Sequence, residues 1–293
     1  MKKFERFYSK NYKKFFIIPI LIVVIAIFIL GNNFNKTGDI VQKDVSLQGG
    51  LTITITTNMV FPELEDLLLE RFPESDINLR TLSEFGSKEQ KGILIEATKL
   101  EDGDLKPVLE ELMGIPLTDE NYSSEFMGST LGDAFYKQMS KAILLAFIFM
   151  AVAITIIFRS YIPSLAVIFA AFSDMTITLA ILNLFNLKLS TAGIAALLLL
   201  IGYSVDTDIL LTTKMLKRKD EGPLFQRMIG ALKTGLTMTS TTVFALIVGY
   251  FLSNSYVIKE IFLIIIIGLF VDVMITYCMN AGLLWWYVRK KNG

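Results

Sequence analysis

Four aspartates lie in segments otherwise apolar enough to cross a bilayer: Asp174 in AAFSDMTITLA, Asp206 and Asp208 in GYSVDTDILL, and Asp272 in IIIIGLFVDVMITY. A carboxylate near the middle of a spanning helix costs roughly 2.5–3.5 kcal/mol on insertion scales, so such groups normally face a bundle interior, a partner or a proton path. No Lys or Arg lies deep in these segments, and the chain contains no histidine. An acid kept from water and from cations favours its neutral form, and so can load and release a proton where a surface aspartate stays ionised. The chemistry offered is therefore proton carriage. Asp206 and Asp208 are two residues apart, about 200° around a helix, and cannot face the same groove. One arrangement points Asp206 at a partner bundle and Asp208 into its own. On that reading Asp206 is the principal titrating group, with Asp208, Asp174 and Asp272 as secondary relay or packing acids. The competing reading makes the acids hydrogen-bonded glue between helices.

The elements that must position these acids follow from hydropathy. Of 293 residues 53% are hydrophobic, with a mean hydropathy of +0.55. Uncharged runs of about 18 residues or more mark a polytopic α-helical membrane protein. Six spans are expected, at about 14–32, 139–158, 162–185, 190–212, 231–252 and 258–287. Gly202, one turn before Asp206, and Gly193 with Ala196 would let another helix approach closely. The fifth span carries Thr234, Thr237, Thr239, Ser240, Thr241 and Thr242. Intramembrane hydroxyls usually bond their own helix, although this density could also solvate a carboxylate.

Basic residues set the orientation. Lys2, Lys3, Arg6, Lys10, Lys13 and Lys14 precede the first span, Arg159 follows the second, Lys214 to Arg227 supply five between the fourth and fifth, and Arg289, Lys290 and Lys291 follow the last. The opposite short loops offer only Lys188 and Lys259. By the positive-inside rule both termini are cytoplasmic. The expected organisation is a cytoplasmic N-terminus and first span at 1–32, an external domain at 33–138, a five-span bundle at 139–288 and a cytoplasmic tail at 289–293, in the cell membrane. The apolar run from Phe15 to Leu30 lacks a small-residue cleavage site and reads as a retained anchor. Formal net charge is zero, so no nucleic-acid partner is implied, while Lys217 to Lys219 could touch lipid headgroups. The lone Cys278 excludes an internal disulfide, the lack of histidine removes His-based metal sites, and no G-x-x-x-x-G-K-[ST] string is present to bind a nucleotide. No cofactor is expected.

The external segment reads as a small α/β domain. Leu51–Thr57 alternates as a strand, Pro62 opens a helix, short extended runs follow at Ile77–Leu82 and Gly92–Ala97, a second helix covers Leu105–Met113 with Pro107 in its first turn, and Tyr122–Met127 is a last strand. The order β-α-β-β-α-β matches a ferredoxin-like split unit. Before the first strand stands Asp44-Val-Ser-Leu-Gln-Gly49-Gly50, whose glycine pair reads most simply as a turn and alternatively as a close backbone approach. Ser129–Lys141 is an amphipathic approach to the second span.

At these residues the chain resembles the SecF family. GYSVDTDILLTTKM is similar to that family's fourth-span motif, SDMTITL resembles its HDVIITL segment, and Asp44 with Gly49 and Gly50 resembles its D-x-x-GG motif. The similarity covers essentially the whole chain. The resemblance implies an accessory subunit of the Sec system that works with SecD, the translocon channel and preproteins, within the resistance-nodulation-division superfamily, and that promotes protein export through proton flow. It departs from bacterial members in placing Thr207 where they carry an acid, Gly235 where they carry an arginine, and Asp272 where they carry small or hydroxyl residues, as an archaeal-type member would. Two other readings are an exporter half for a lipid or small solute, and a passive translocon assembly partner. The first should show a larger external module and two fused halves.

Overall fold

The computed structural model describes residues 2–83, 90–253 and 255–292. Six helices are long and apolar enough to cross a membrane. The first is the apolar part of α1 (Lys2–Thr37), and the next four are α5 (Ser129–Phe158), α6 (Tyr161–Leu184), α7 (Thr191–Leu216) and α8 (Leu224–Leu252). The sixth runs through α9 (Tyr256–Met274), a π turn at Ile275–Asn280 and α10 (Ala281–Asn292). Burial sorts them. The most apolar windows of α6 and α7 are 67% and 56% buried, against 17% for α1 and α5 and 11% for α8. The inner helices α6, α7 and α9 therefore share a core in which Val167, Ala171, Leu197, Leu200, Ile264 and Leu269 interlock, and these three carry the acids. A second cluster at one end ties Tyr8 to Phe225 and Trp285.

Between α1 and α5 stand α2 (Val45–Gln48), β1 (Gly50–Thr56), α3 (Leu64–Arg71), β2 (Ile77–Ser83), β3 (Gln90–Ala97), α4 (Asp102–Met113) and β4 (Tyr122–Met127). The sheet is antiparallel in the order β2-β3-β1-β4, the arrangement a ferredoxin-like unit requires. Period-2 alternation puts Leu51, Ile53 and Ile55 on the face that α3 and α4 cover through Leu64, Leu68, Leu105 and Leu109. α4 starts one turn earlier than its apolar spacing implies, because Asp102 and Asp104 fill a first turn where acids favour the helix dipole. Pro107 then lies inside the helix rather than in its first turn. The Ser129–Lys141 segment is continuous with the second span: nothing between them breaks the helix.

The domain is seated on one end of the bundle. Lys188 Nζ lies 2.6 Å from Asp76 Oδ2, Arg80 stacks on the Tyr256 ring at 3.7 Å, and Asp44 N–H donates to Leu189 O at 3.0 Å. The glycine pair makes more than a turn. Gly49 has φ +84°, and a Cβ there would fall 2.5 Å from Ser129 Cα, while one on Gly132 would fall 2.7 Å from Gly49 N. The strand entering the domain and the helix leaving it thus cross backbone to backbone. Gly132 is helical, so Gly132→Ala removes only the space. We expect it to destabilise the protein by roughly 1–3 kcal/mol, the usual cost of overpacking, seen as a lower melting temperature in detergent. Gly128→Ala, which meets nothing within 4 Å, is the matched control and should be neutral.

Candidate functional site: a carboxyl cluster inside the bundle

Asp174 on α6, Asp208 on α7 and Asp272 on α9 meet in the bundle core, at 1%, 0% and 0% exposure. Their partners are hydroxyls and one amide. Ser204 Oγ donates to Asp174 Oδ2 at 2.5 Å. Thr207 Oγ1 lies 2.9 Å from Asp272 Oδ2 and 2.8 Å from Ser204 O. Thr276 Oγ1 bridges Asp208 Oδ1 at 2.9 Å and Asp272 Oδ1 at 3.1 Å. Asn280 Nδ2 donates to Asp208 Oδ1 at 2.6 Å.

Each hydroxyl carries a single proton, so Thr207 and Thr276 cannot satisfy all the oxygens they touch. Among the described residues no donor reaches Asp174 Oδ1 or Asp208 Oδ2. The Asp174 and Asp272 carboxyls lie within hydrogen-bonding reach of each other, and of the described ion pairs none reaches the three acids. Fully ionised, the cluster would bury three negative charges with no counter-charge, at a cost of several kcal/mol per ion. A proton between Asp174 and Asp272 removes one charge and turns two facing acceptors into a donor and an acceptor. Among the described residues no group of three or more His, Cys, Asp and Glu side chains is placed to hold a metal ion.

The fourth acid is elsewhere. Asp206 lies on an exposed face of α7 in line with Ala195, Leu199, Gly202 and Tyr203, pointing away from the other three. Gly202 shares that face, and a Cβ on it would meet nothing within 4 Å. Gly193 serves its own chain instead: a Cβ there would fall 2.6 Å from Glu260 Oε1, which accepts from Ser190 Oγ at 2.8 Å and from Ser190 N–H at 3.1 Å. Asp44, Gly49 and Gly50 belong to the domain joint, remote in sequence from the cluster.

The sequence signals named above do not include Ser204, Thr276 or Asn280, and single out Thr207 only as a departure from the bacterial pattern. The signal was present: Thr276 and Asn280 follow Asp272 at steps of four, and Ser204 precedes Asp208 by four, the spacing of one helix face. The π turn at Ile275–Asn280 is a feature frequent at functional sites. Of the fifth-span hydroxyls, Thr234, Thr237, Thr241 and Thr242 donate to carbonyls of their own helix, while Thr234 also accepts from Lys214 Nζ at 3.2 Å.

A six-span helical bundle that carries one ferredoxin-like domain and buries carboxyls between its inner helices defines a class of polytopic membrane protein. Comparison with known proteins narrows it. A family profile described as protein export membrane protein SecD/SecF, C-terminal, matches residues 109–290. Protein-export membrane protein SecF of Pyrococcus furiosus is 38% identical over 282 residues, 96% of this chain and 93% of the relative. Its counterpart from Methanothermobacter thermautotrophicus is 36% identical over 97% of this chain and 95% of the relative. The chain belongs to the SecF family of protein-export membrane proteins. The crystal structure of SecDF, a translocon-associated membrane protein from Thermus thermophilus, superposes with a TM-score of 0.71 at 20% identity, covering 98% of this chain and 38% of that one. A SecDF crystal structure in a super-membrane-facing form gives 0.62 at 21% identity, covering 97% and 39%. These two likenesses bear on the fold, and this chain spans under two fifths of the length of either.

Proposed function

We propose that this chain is one half of a proton-coupled export machine, in which the Asp174–Asp208–Asp272 cluster takes up and releases a proton while Asp206 faces a SecD-type partner bundle. The observation that carries the reading is the meeting of three cation-free carboxyls between the inner helices. The fourth-span motif ranks Asp206 first, as the acid facing a partner; the burial of the other three supports assigning the proton-carrying role to them instead. Gain and loss of charge in the cluster changes how closely α6, α7 and α9 can pack. That makes a two-state element of the kind a gradient can bias, and α9 carries the change to the seat of the external domain. The translocon channel, preproteins and surrounding lipid are the further partners. Members of this group that move lipids or small solutes carry larger external modules, which disfavours that alternative.

The test is export of a signal-bearing reporter in cells whose only copy of this protein is plasmid-borne. Collapsing the proton gradient should remove the part of the export rate that depends on this chain. An unchanged contribution after collapse leaves the passive-assembly reading.

The orientation proposal places both termini in the cytoplasm and the sheet domain outside. It is supported by the seating of the domain at the end of the bundle that holds Lys188 and Tyr256, opposite the cluster of Arg218, Lys219 and Arg227. In a Cys278→Ala background, Asp119→Cys should be labelled by an impermeant maleimide from outside and Glu221→Cys only after lysis. The reverse pattern would invert the topology.

A further inference from the structure

Beneath the sheet, where it meets the bundle, a cavity of about 270 Å³ is lined in part by Asp44, Thr52, Glu96, Tyr256 and Glu260. All three of these acids are buried, and Asp44 and Glu96 face each other. Glu96, 7% exposed, receives Arg80 Nη1 on Oε1 at 3.3 Å, and among the described residues no donor reaches its Oε2. Asp44, 5% exposed, caps α2 by accepting from Val45 N–H at 2.5 Å, and its carboxyl lies within hydrogen-bonding reach of Glu96. Two carboxylates in that position repel. A proton taken up by Glu96 turns its orphaned oxygen into a donor and halves the charge.

We propose that Asp44 and Glu96 form a proton-binding site in the seat of the external domain, separate from the intramembrane cluster, and that its occupancy holds the sheet down on the bundle. The other charged and titratable groups around it come from each packed element. Arg80 on β2 pairs with Glu96 and stacks on Tyr256 of α9. Lys188 of the α6–α7 loop is held by Asp76, and Lys43 by Asp39. Glu260 of α9 is bound to Ser190, and Glu125 of β4 lines the cavity on an exposed strand. Arg80 thus offsets one charge where Asp44, Glu96 and Glu260 bring three. Burial first, then the Asp44 carboxyl, push Glu96 from 4.5 to about 7 against the pull of Arg80.

The sign follows from linkage. A carboxyl that titrates higher when the domain is seated binds more protons in that state, so seating weakens as pH rises through the window from about 4.5 to about 7. For one proton the equilibrium shifts by up to about tenfold per pH unit. An ordinary Arg80–Glu96 ion pair predicts the opposite, a seat that tightens as Glu96 ionises. The role of this site in export rests on the proton-coupled reading above, whereas its existence does not.

The experiment uses the full chain in detergent with no partner and no gradient, so failure of the export reading leaves it intact. In the Cys278→Ala background, Thr52→Cys places a thiol on the residue paired with Glu96 across β1 and β3. Its maleimide labelling is divided by that of exposed Asp119→Cys, which removes the intrinsic pH dependence of the thiol. From about pH 5 to about pH 8 the ratio should rise about tenfold or more; the rise should vanish in Glu96→Gln and shrink in Asp44→Asn, where burial of Glu96 remains, both variants keeping a neutral side chain of the same size. If one variant fails to fold, the other decides. A flat or falling ratio in the parent, or a rise undiminished in the folded variants, overturns the proposal.

Discussion

Asp272→Asn should reduce reporter export to the level seen with the proton gradient collapsed, a loss of about tenfold or more if coupling sets the rate, which corresponds to about 1.4 kcal/mol or more of barrier. The same variant should melt at or above the parent temperature. An amide at this position, with its oxygen in the place of Oδ1, still accepts from Thr207 and Thr276 and can donate toward Asp174, so the packing survives and no buried charge is added. That pairing of lost function with kept or gained stability separates the two readings of the cluster. If the acids are only glue between helices, Asp272→Asn leaves export intact, or lowers export and stability together. Asp174→Asn should behave in the same way, because it too removes one half of the facing pair.

Gly202→Leu should lower recovery of the SecD-type partner from native membranes about tenfold or more. Among the described residues nothing lies within 4 Å of a Cβ at this position, which sits on an exposed face, so the isolated subunit should fold and melt as before. On the same face Asp206 is exposed within a span, and a carboxylate left facing lipid there would cost roughly 2.5–3.5 kcal/mol. A covering partner removes that cost, and small residues are what allow its helix to come close. Equal recovery of the partner with Gly202→Leu would show that this face meets lipid.

The fold was legible because its signals are local. Six long apolar runs, strict alternation in Leu51–Thr56 and helical spacing in Leu64–Leu68 each follow from one element's own periodicity. The site was legible in part. An acid in an apolar run stands out alone, so Asp174, Asp208 and Asp272 could be picked from sequence. Their meeting could not, because it depends on the rotation of three helices about their axes, which the low amphipathicity of such apolar segments leaves unspecified. Asp206 drew the first rank from its motif, yet only three-dimensional packing separates its face from that of Asp208. Thr276 and Asn280 were overlooked because a hydroxyl and an amide carry little insertion cost and give no alarm. The Asp44–Glu96 pair was beyond sequence, since 51 residues lie between its members.

The most direct test of the central claim is a pH titration by infrared spectroscopy of the purified protein in lipid vesicles, following the carbonyl-stretch band of protonated carboxylic acids. A proton held in the cluster predicts a band present at neutral pH that fades on alkalinisation and is diminished in Asp272→Asn and in Asp174→Asn, while Glu96→Gln leaves that component in place. A protonated-acid band unchanged by both aspartate substitutions would contradict it.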